Sequence, residues 1–173
     1  MAGAAAHDFH VDQEIDPLQV RDGSPPPPVC DLPRFSRIPL YFVLNATFDH
    51  LVGWVKDNIQ PPRAPDIEVL SLGPPVVIAR DSFGNALGGI RLSQHAVPTA
   101  TNTGVNSGPE FCSTFGSYQP LDAATLAELY PNHGTYVSQV THATHDNLKN
   151  GFIVLEDATA TVQEAAQSDI GKR

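Results

Sequence analysis

A long amphipathic segment bracketed by prolines constrains the fold of this chain more than any other feature of its sequence. From Pro39 to about Asn58 the spacing of apolar side chains is that of a helix. Its stripe comprises Leu40, Val43, Leu44, Thr47, Leu51, Trp54 and Val55. Pro39 suits the first helical position, and Pro61 and Pro62 end the segment. Such a helix has to bury its stripe, most naturally against a sheet.

The sequence predicts little sheet to meet that helix. One β-hairpin is indicated, with a strand over Val76–Ala79, a turn at Asp81–Asn85 and a return strand over Ala86–Leu92. Residues 93–119 are rich in Thr, Asn, Ser and Gly, and we interpret them as a long ordered loop. Residues 1–38 are predicted to be mostly irregular because they are interrupted by prolines.

Three further helices are predicted in the last third, over residues 122–130, 135–150 and 156–168. Asp122 is the expected N-cap of the first, and Gly151 is placed to end the second. Four helices beside a single hairpin leave too few strands to cover the stripe of the 39–58 helix. We therefore expect this chain to pack against further polypeptide.

Composition excludes two classes of partner. The formal net charge is -9, with 10 Lys and Arg against 19 Asp and Glu, and no basic cluster is present. A nucleic-acid partner needs a basic footprint, so none is predicted, and anionic membrane surfaces are disfavoured for the same reason. No apolar run approaches the roughly 20 residues that a membrane-spanning helix needs, so no membrane span is predicted.

The two cysteines and the start of the chain leave the compartment open. Cys30 and Cys112 are 82 residues apart and sit in no metal-binding pattern, so a disulfide and two buried thiols both remain alternatives. Met1–Ala6 is too short for the apolar core of a secretion signal. Localisation, cytoplasmic or secreted, would depend on polypeptide that precedes this sequence.

Several stretches resemble one family, the bacterial "alpha/beta hydrolase domain" proteins, over about residues 30 to 170. The most specific are Gly88–Leu92, with the sequence GGIRL, and the loop Val97–Gly104. The others are Cys30–Pro33, Tyr41–Ala46, Leu51–Asp57 and Phe115–Tyr118. The resemblance is to the C-terminal part of these esterase-like and lipase-like serine hydrolases. It implies an α/β fold and a catalytic triad in the chain order Ser, Asp or Glu, His.

The same resemblance assigns two candidate catalytic histidines. His10, in His10-Val11-Asp12, is similar to the family's His-x-Asp segment, and it is preferred because of the Asp12 spacing. His7 follows a run of small residues that is similar to the approach to that histidine, so it stays an alternative. The family's histidine precedes the final helix of the domain, which here is the 39–58 helix.

The resemblance also divides the chain into three parts and indicates what is missing. Residues 1–60 are expected to be the end of a hydrolase core, residues 61–119 a hairpin-and-loop extension, and residues 120–173 a helical extension. We expect a C-terminal fragment whose parallel sheet mostly lies outside it. The missing N-terminal hydrolase region, in the same longer chain or a second subunit, is then the expected partner, and a small ester the substrate of the completed enzyme.

The sequence contains no G-x-S-x-G elbow to supply the nucleophile. The nearest match, Gly104–Gly108, places Ser107 one position late and follows a polar loop, so Ser107 is not predicted to be the nucleophile. His142 and His145 share a helix face but have no evident third ligand, so no metal site and no cofactor is predicted. The alternative function is a non-catalytic interaction module that binds a partner through the apolar face of the 39–58 helix.

Overall fold

The computed structural model describes residues 1–6, 9, 17–23 and 28–172. These residues form two compact units whose segments alternate along the chain. The first unit comprises Met1–Leu40, Ile67–Leu87 and Ala100–Pro120. The second comprises Tyr41–Asp66, Gly88–Thr99 and Leu121–Arg173.

Helices dominate the second unit, and two short sheets lie in the first. The helices are α1 (Leu40–Asp57), α2 (Ser93–Ala96), α3 (Cys112–Phe115), α4 (Ala123–Leu129), α5 (His133–Lys149) and α6 (Leu155–Gln167). The strands are β1 (Val69–Ser71), β2 (Val77–Ile78), β3 (Ala100–Thr103) and β4 (Ser117–Pro120). Residues 17–21 form an additional helical turn. None of the described helices is long and apolar enough to cross a bilayer.

The predictions for α1, α4, α5 and α6 are confirmed to within two residues at each end. Asp122 caps α4 by accepting a hydrogen bond from the Thr125 backbone N–H at 2.8 Å. Asn132 caps α5 in the same way, with its Oδ1 2.9 Å from the Thr135 nitrogen. Gly151 follows α5 with a φ of 74°, a conformation that glycine adopts without a steric cost.

The core of the second unit lies where α5 and α6 pack together. Its buried side chains are Val97, Tyr130, Val140 and Ala165. Tyr130 is 2% exposed, and its hydroxyl donates to the Pro98 carbonyl at 2.9 Å, so the polar end of this large side chain remains hydrogen-bonded in the interior.

Helix α1 buries a different face from its predicted stripe. Phe42 and Ala46 are its buried side chains. In contrast, Leu44 is 44% exposed, Leu51 49% and Val55 77%. The helix itself is therefore confirmed, but much of the stripe that defines it in the sequence lies at the surface.

The predicted hairpin is wrong in its second strand. Strand β2 pairs with β1, which precedes it, and not with a return strand over Ala86–Leu92. The turn at residues 81–85 does form, because the Asp81 side chain accepts from the backbone N–H groups of Phe83 and Asn85. After Ala86, which pairs with Arg80, Gly88 and Gly89 adopt φ values of 69° and 67° and end the extended conformation.

The prediction of a long loop over residues 93–119 is also wrong, because this segment contains α2, α3, β3 and most of β4. Strands β3 and β4 pair antiparallel, with Asn102 opposite Tyr118. The buried side chains of β3 are those of Ala100 and the polar Asn102. The strand therefore lacks the alternation of apolar and polar residues that identifies strands in sequences. The sheets formed by the described residues are two-stranded and antiparallel, and no parallel sheet forms among those residues.

Buried polar groups and a disulfide organise the first unit. Asn85 is fully buried, donates to the Ala100 carbonyl at 3.1 Å and accepts from the Asn102 N–H at 2.8 Å. Asn102 Oδ1 in turn accepts from the Arg37 backbone N–H at 2.9 Å. Cys30 and Cys112 form a disulfide, which decides between the two alternatives that the sequence left open.

Candidate functional site

Both candidate catalytic histidines, His7 and His10, lie outside the described residues. The structure does describe the segment before them and Phe9 between them. In that segment Ala2 and Ala5 are buried, and the Gly3 carbonyl accepts from the Ser36 hydroxyl at 2.6 Å. The small residues before His7 therefore form a packed part of the first unit.

Two glycines allow the backbone to approach this N-terminal segment closely. A Cβ at Gly104 would collide with the Ala4 carbonyl oxygen. A Cβ at Gly116 would collide with the Thr103 carbonyl and lie 2.8 Å from the Ala5 Cβ. Both glycines belong to stretches that carry the family resemblance, and both have a packing reason to lack a side chain.

Phe9 is held by aromatic and cationic neighbours. Its ring centroid lies 6.3 Å from that of Phe35, which lies 5.0 Å from that of Phe115. The Arg37 guanidinium stands 4.7 Å from the Phe9 centroid and 3.9 Å from that of Tyr118, within the range of cation–π attraction. The residue between His7 and His10 is therefore fixed to the first unit by defined contacts.

A second arginine lies over the same rings. The Arg34 guanidinium is 5.2 Å from the Phe35 centroid and 5.9 Å from that of Phe115. Its Nη1 is buried and makes no hydrogen bond within the part of the chain that the structure describes. Two cations, Arg34 and Arg37, therefore lie over the aromatic rings that hold Phe9 in the first unit.

Among the described residues, the Ser107 hydroxyl does not make the contact that a nucleophilic serine needs. Its hydroxyl donates to the Asp31 carboxylate at 2.6 Å, and its carbonyl accepts from the Asp31 backbone N–H at 2.9 Å. An activated serine needs an imidazole as its partner, whereas the partner here is a carboxylate. The bonds fasten the 107 loop to the segment that carries Cys30.

His142 and His145 lie exposed on α5. Across the described ranges, no group of three or more His, Cys, Asp or Glu side chains is arranged to hold a metal ion. The two histidines therefore lie at the surface of α5, and no further metal-ligating side chains are grouped with them in those ranges.

Sequence reasoning missed a buried carboxyl in the second unit. Asp157, in the first turn of α6, is 8% exposed, and both of its oxygens accept from Asn45 Nδ2, at 3.1 and 3.3 Å. Burial raises the pKa of Asp157 above its ordinary value, while the Asn45 hydrogen bond opposes the rise and the nearby Glu156 charge adds to it. An acidic residue in a first helical turn is so common that it gave no signal.

The chain was compared with known protein families, with curated proteins and with solved structures. Residues 1–163 match the family model described as "Alpha/beta hydrolase domain". No curated protein and no solved structure matches the chain.

Proposed function

We propose, from the premise that the chain belongs to the alpha/beta hydrolase domain family, that it is part of a serine carboxylic ester hydrolase. In this proposal His10, or His7 as the alternative, is the general base. The nucleophilic serine comes from polypeptide outside these 173 residues. The observation that carries the proposal is the family match together with the absence of a G-x-S-x-G motif from the sequence.

The chemistry defines what each part would contribute. A serine hydroxyl is a weak nucleophile at neutral pH until an imidazole accepts its proton, and a carboxylate has to orient that imidazole. An imidazole without the hydroxyl supplies a base and no attacking oxygen. The described residues that neighbour the candidate bases in sequence, the packed segment before His7 and Phe9, support assigning this region to the first unit.

The division of labour along the chain belongs to the same proposal. Residues 1–60 would be the end of the hydrolase core, with the catalytic-histidine region and the final helix. Residues 61–119 and 120–173 would be two successive extensions. The exposed apolar side chains of α1 support a further covering element, and a parallel sheet of the complete hydrolase is the element that we propose.

A serine-directed fluorophosphonate probe tests this function. In the native protein that carries this sequence, mass spectrometry should locate the label on a serine outside the 173 residues. His10→Gln should abolish the labelling, and the matched variant His7→Gln should leave it unchanged; the reverse pattern would assign the base to His7.

The contrary result is equally specific. The proposal would be contradicted if the 173-residue chain alone hydrolysed p-nitrophenyl butyrate at an enzymic rate and if Ser107→Ala abolished that rate. A label on Ser107 would give the same answer.

A non-catalytic interaction module is the second candidate, and the apolar outer face of α1 favours it. Phe48 is 65% exposed and Val55 77% exposed, which is unusual for large apolar side chains along one helix. Size-exclusion chromatography and thermal melting of the chain distinguish the candidates. A monomer that melts cooperatively favours the module, whereas self-association that Val55→Lys relieves favours a part of a larger hydrolase.

A further inference from the structure

An apolar groove in the second unit lies along α1. It is lined in part by Val43, Thr47, Leu51 and Trp54 of the predicted stripe, whereas Leu44 and Val55 lie outside it. It encloses about 320 Å³ and is lined by α1, by the proline segment after it, and by the chain around Phe152. We propose that this groove binds a neutral small molecule with an apolar body and one hydroxyl, a phenol or an aryl alcohol. This inference does not depend on the proposed hydrolase function.

The lining defines the charge and polarity of the ligand. The groove has no charged side chain in its wall, so an anion or cation would lose its hydration without a compensating partner. Trp54, Pro62 and Phe152 give it flat apolar surfaces, which suit an aromatic or alicyclic body. Its volume is at the lower end of the range for small-molecule sites, which sets the size of the ligand.

His50 supplies the polar group that selects a hydroxyl. Its Nε2 lies 2.7 Å from the Gly151 carbonyl oxygen, and because a carbonyl only accepts, Nε2 carries the proton. In the neutral ring Nδ1 is then an acceptor, and it makes no hydrogen bond with the described residues. A ligand hydroxyl can donate to it.

The imidazole is fixed in the wall by close packing. A Cβ at Gly151 would lie 3.1 Å from His50 Nε2 and 3.3 Å from Pro62 Cγ, so backbone, imidazole and proline ring meet with no spare space. A rigid acceptor beside apolar walls is pre-organised, which lowers the entropic cost of binding.

Trp54 provides the measurement, because it is the single tryptophan of the chain and is 51% exposed in the groove wall. We expect 4-propylphenol to shift the Trp54 emission to shorter wavelength with saturation. The dissociation constant should be on the order of 0.1 mM, as roughly ten buried heavy atoms would give. The methyl ether 4-propylanisole should bind about fivefold more weakly for lack of the donor. The anion 4-propylbenzoate should not bind.

Variants separate the groove from the rest of the helix. Thr47→Phe should fill the groove from α1 and abolish the saturable shift, and Ala64→Phe should do so from the opposite wall if the first variant does not fold. The matched control Val55→Phe adds the same ring on α1 outside the groove and should bind normally. His50→Phe should remove the preference for the phenol over its ether.

The inference is overturned by any of three results. These are no saturable shift with the phenol, an unchanged shift in a folded Thr47→Phe or Ala64→Phe variant, and binding of the benzoate as tight as that of the phenol. Each is independent of fluorophosphonate labelling, so the groove and the hydrolase proposal can fail separately.

Discussion

The two units differ in how far local contacts order them, although the second unit also contains the long-range Asn45–Asp157 and His50–Gly151 bonds. In the second unit the helix caps join residues three apart, such as Asn132 with Thr135. In the first unit the side-chain bonds span 33 residues from Ser36 to Gly3, 65 from Arg37 to Asn102 and 74 from Leu32 to Asn106. A disulfide there spans 82 residues. A helical unit can be specified piece by piece, whereas an irregular unit needs distant parts of the chain to meet first.

This difference predicts that the units depend on different residues. The first unit has short strands, and most of its buried apolar side chains are alanines. Its cross-link and buried polar bonds should therefore carry a large share of its stability. The second unit has an apolar cluster on long helices, so the loss of one local bond should matter less.

Removing the disulfide should have the largest effect. Cys30→Ser with Cys112→Ser frees a loop of 82 residues, and the expected loss of unfolding free energy for the first unit is about 4 kcal/mol. Hydrogen exchange should show loss of protection for the β3 and β4 amides, while the α5 and α6 amides keep theirs. Ser113→Ala, an exposed change beside Cys112, is the control and should leave both unchanged.

An equal loss of hydrogen-exchange protection in both units would contradict this expectation. It would mean that the helices need the cross-link as much as the sheet does.

Replacing the buried asparagine of the first unit should have the next largest effect. Asn85→Ala leaves the Ala100 carbonyl and the Asn102 N–H without their partner in the interior, at a cost of about 2–3 kcal/mol. Denaturant unfolding measures the change, with exposed Gln119→Ala as the control on the same sheet. A loss below that of an ordinary surface substitution would show that water replaces the side chain, and that the polar network does not organise this unit.

Removing a helix cap in the second unit should cost less. Asn132→Ala removes the side-chain acceptor of the Thr135 N–H at the start of α5, and the expected loss of unfolding free energy is about 1 kcal/mol. Asn132→Ser, which keeps a capping oxygen, should restore most of the stability measured in the same denaturant experiment. If Asn132→Ala lost more unfolding free energy than Asn85→Ala, the second unit would depend on a local bond more than the first unit depends on its buried polar bonds.

The same contrast in contact range explains what the sequence could predict. Helices α1, α4, α5 and α6 were predicted because apolar spacing, capping residues and Gly151 are local signals. Strands β3 and β4 were missed because their inward positions include Asn102 and Ser117, whose bonding partners lie elsewhere in the chain. The exposed stripe of α1 shows that periodicity identifies a helix but not which face it buries.

The candidate site was less predictable than the fold. His7 and His10 came from the family resemblance alone, since two histidines near a chain terminus carry no physical signal of catalysis. The disulfide stayed open because pairing depends on the distance between Cα atoms, which the spacing of cysteines does not give. The Asp157–Asn45 contact joins residues 112 apart and also has no local signal.

The smallest effect concerns the pH dependence of the second unit, through Asp157. Burial raises the pKa of this carboxyl above its ordinary value of 3.8, so just above that value the folded state binds more protons than the unfolded state. Stability should therefore fall as the pH rises from 3.8 through the raised pKa. Asp157→Asn removes the titrating carboxyl. The free energy of unfolding of the wild type minus that of the variant should therefore decrease across that pH interval. Denaturant unfolding followed by the circular dichroism of the helices measures this difference.

Two neighbours of Asp157 sharpen this test because they act in opposite directions. Asn45→Ala removes the hydrogen bond that favours the carboxylate, so the pKa of Asp157 should rise further. The fall in stability should then extend to higher pH. Glu156→Gln removes a nearby negative charge that raises the pKa of Asp157. It should therefore narrow the pH interval over which stability falls. A stability difference that rises with pH would mean that Asp157 is stabilised as a carboxylate, in which case the first turn of α6 would be held by charge and not, like the rest of its unit, by burial.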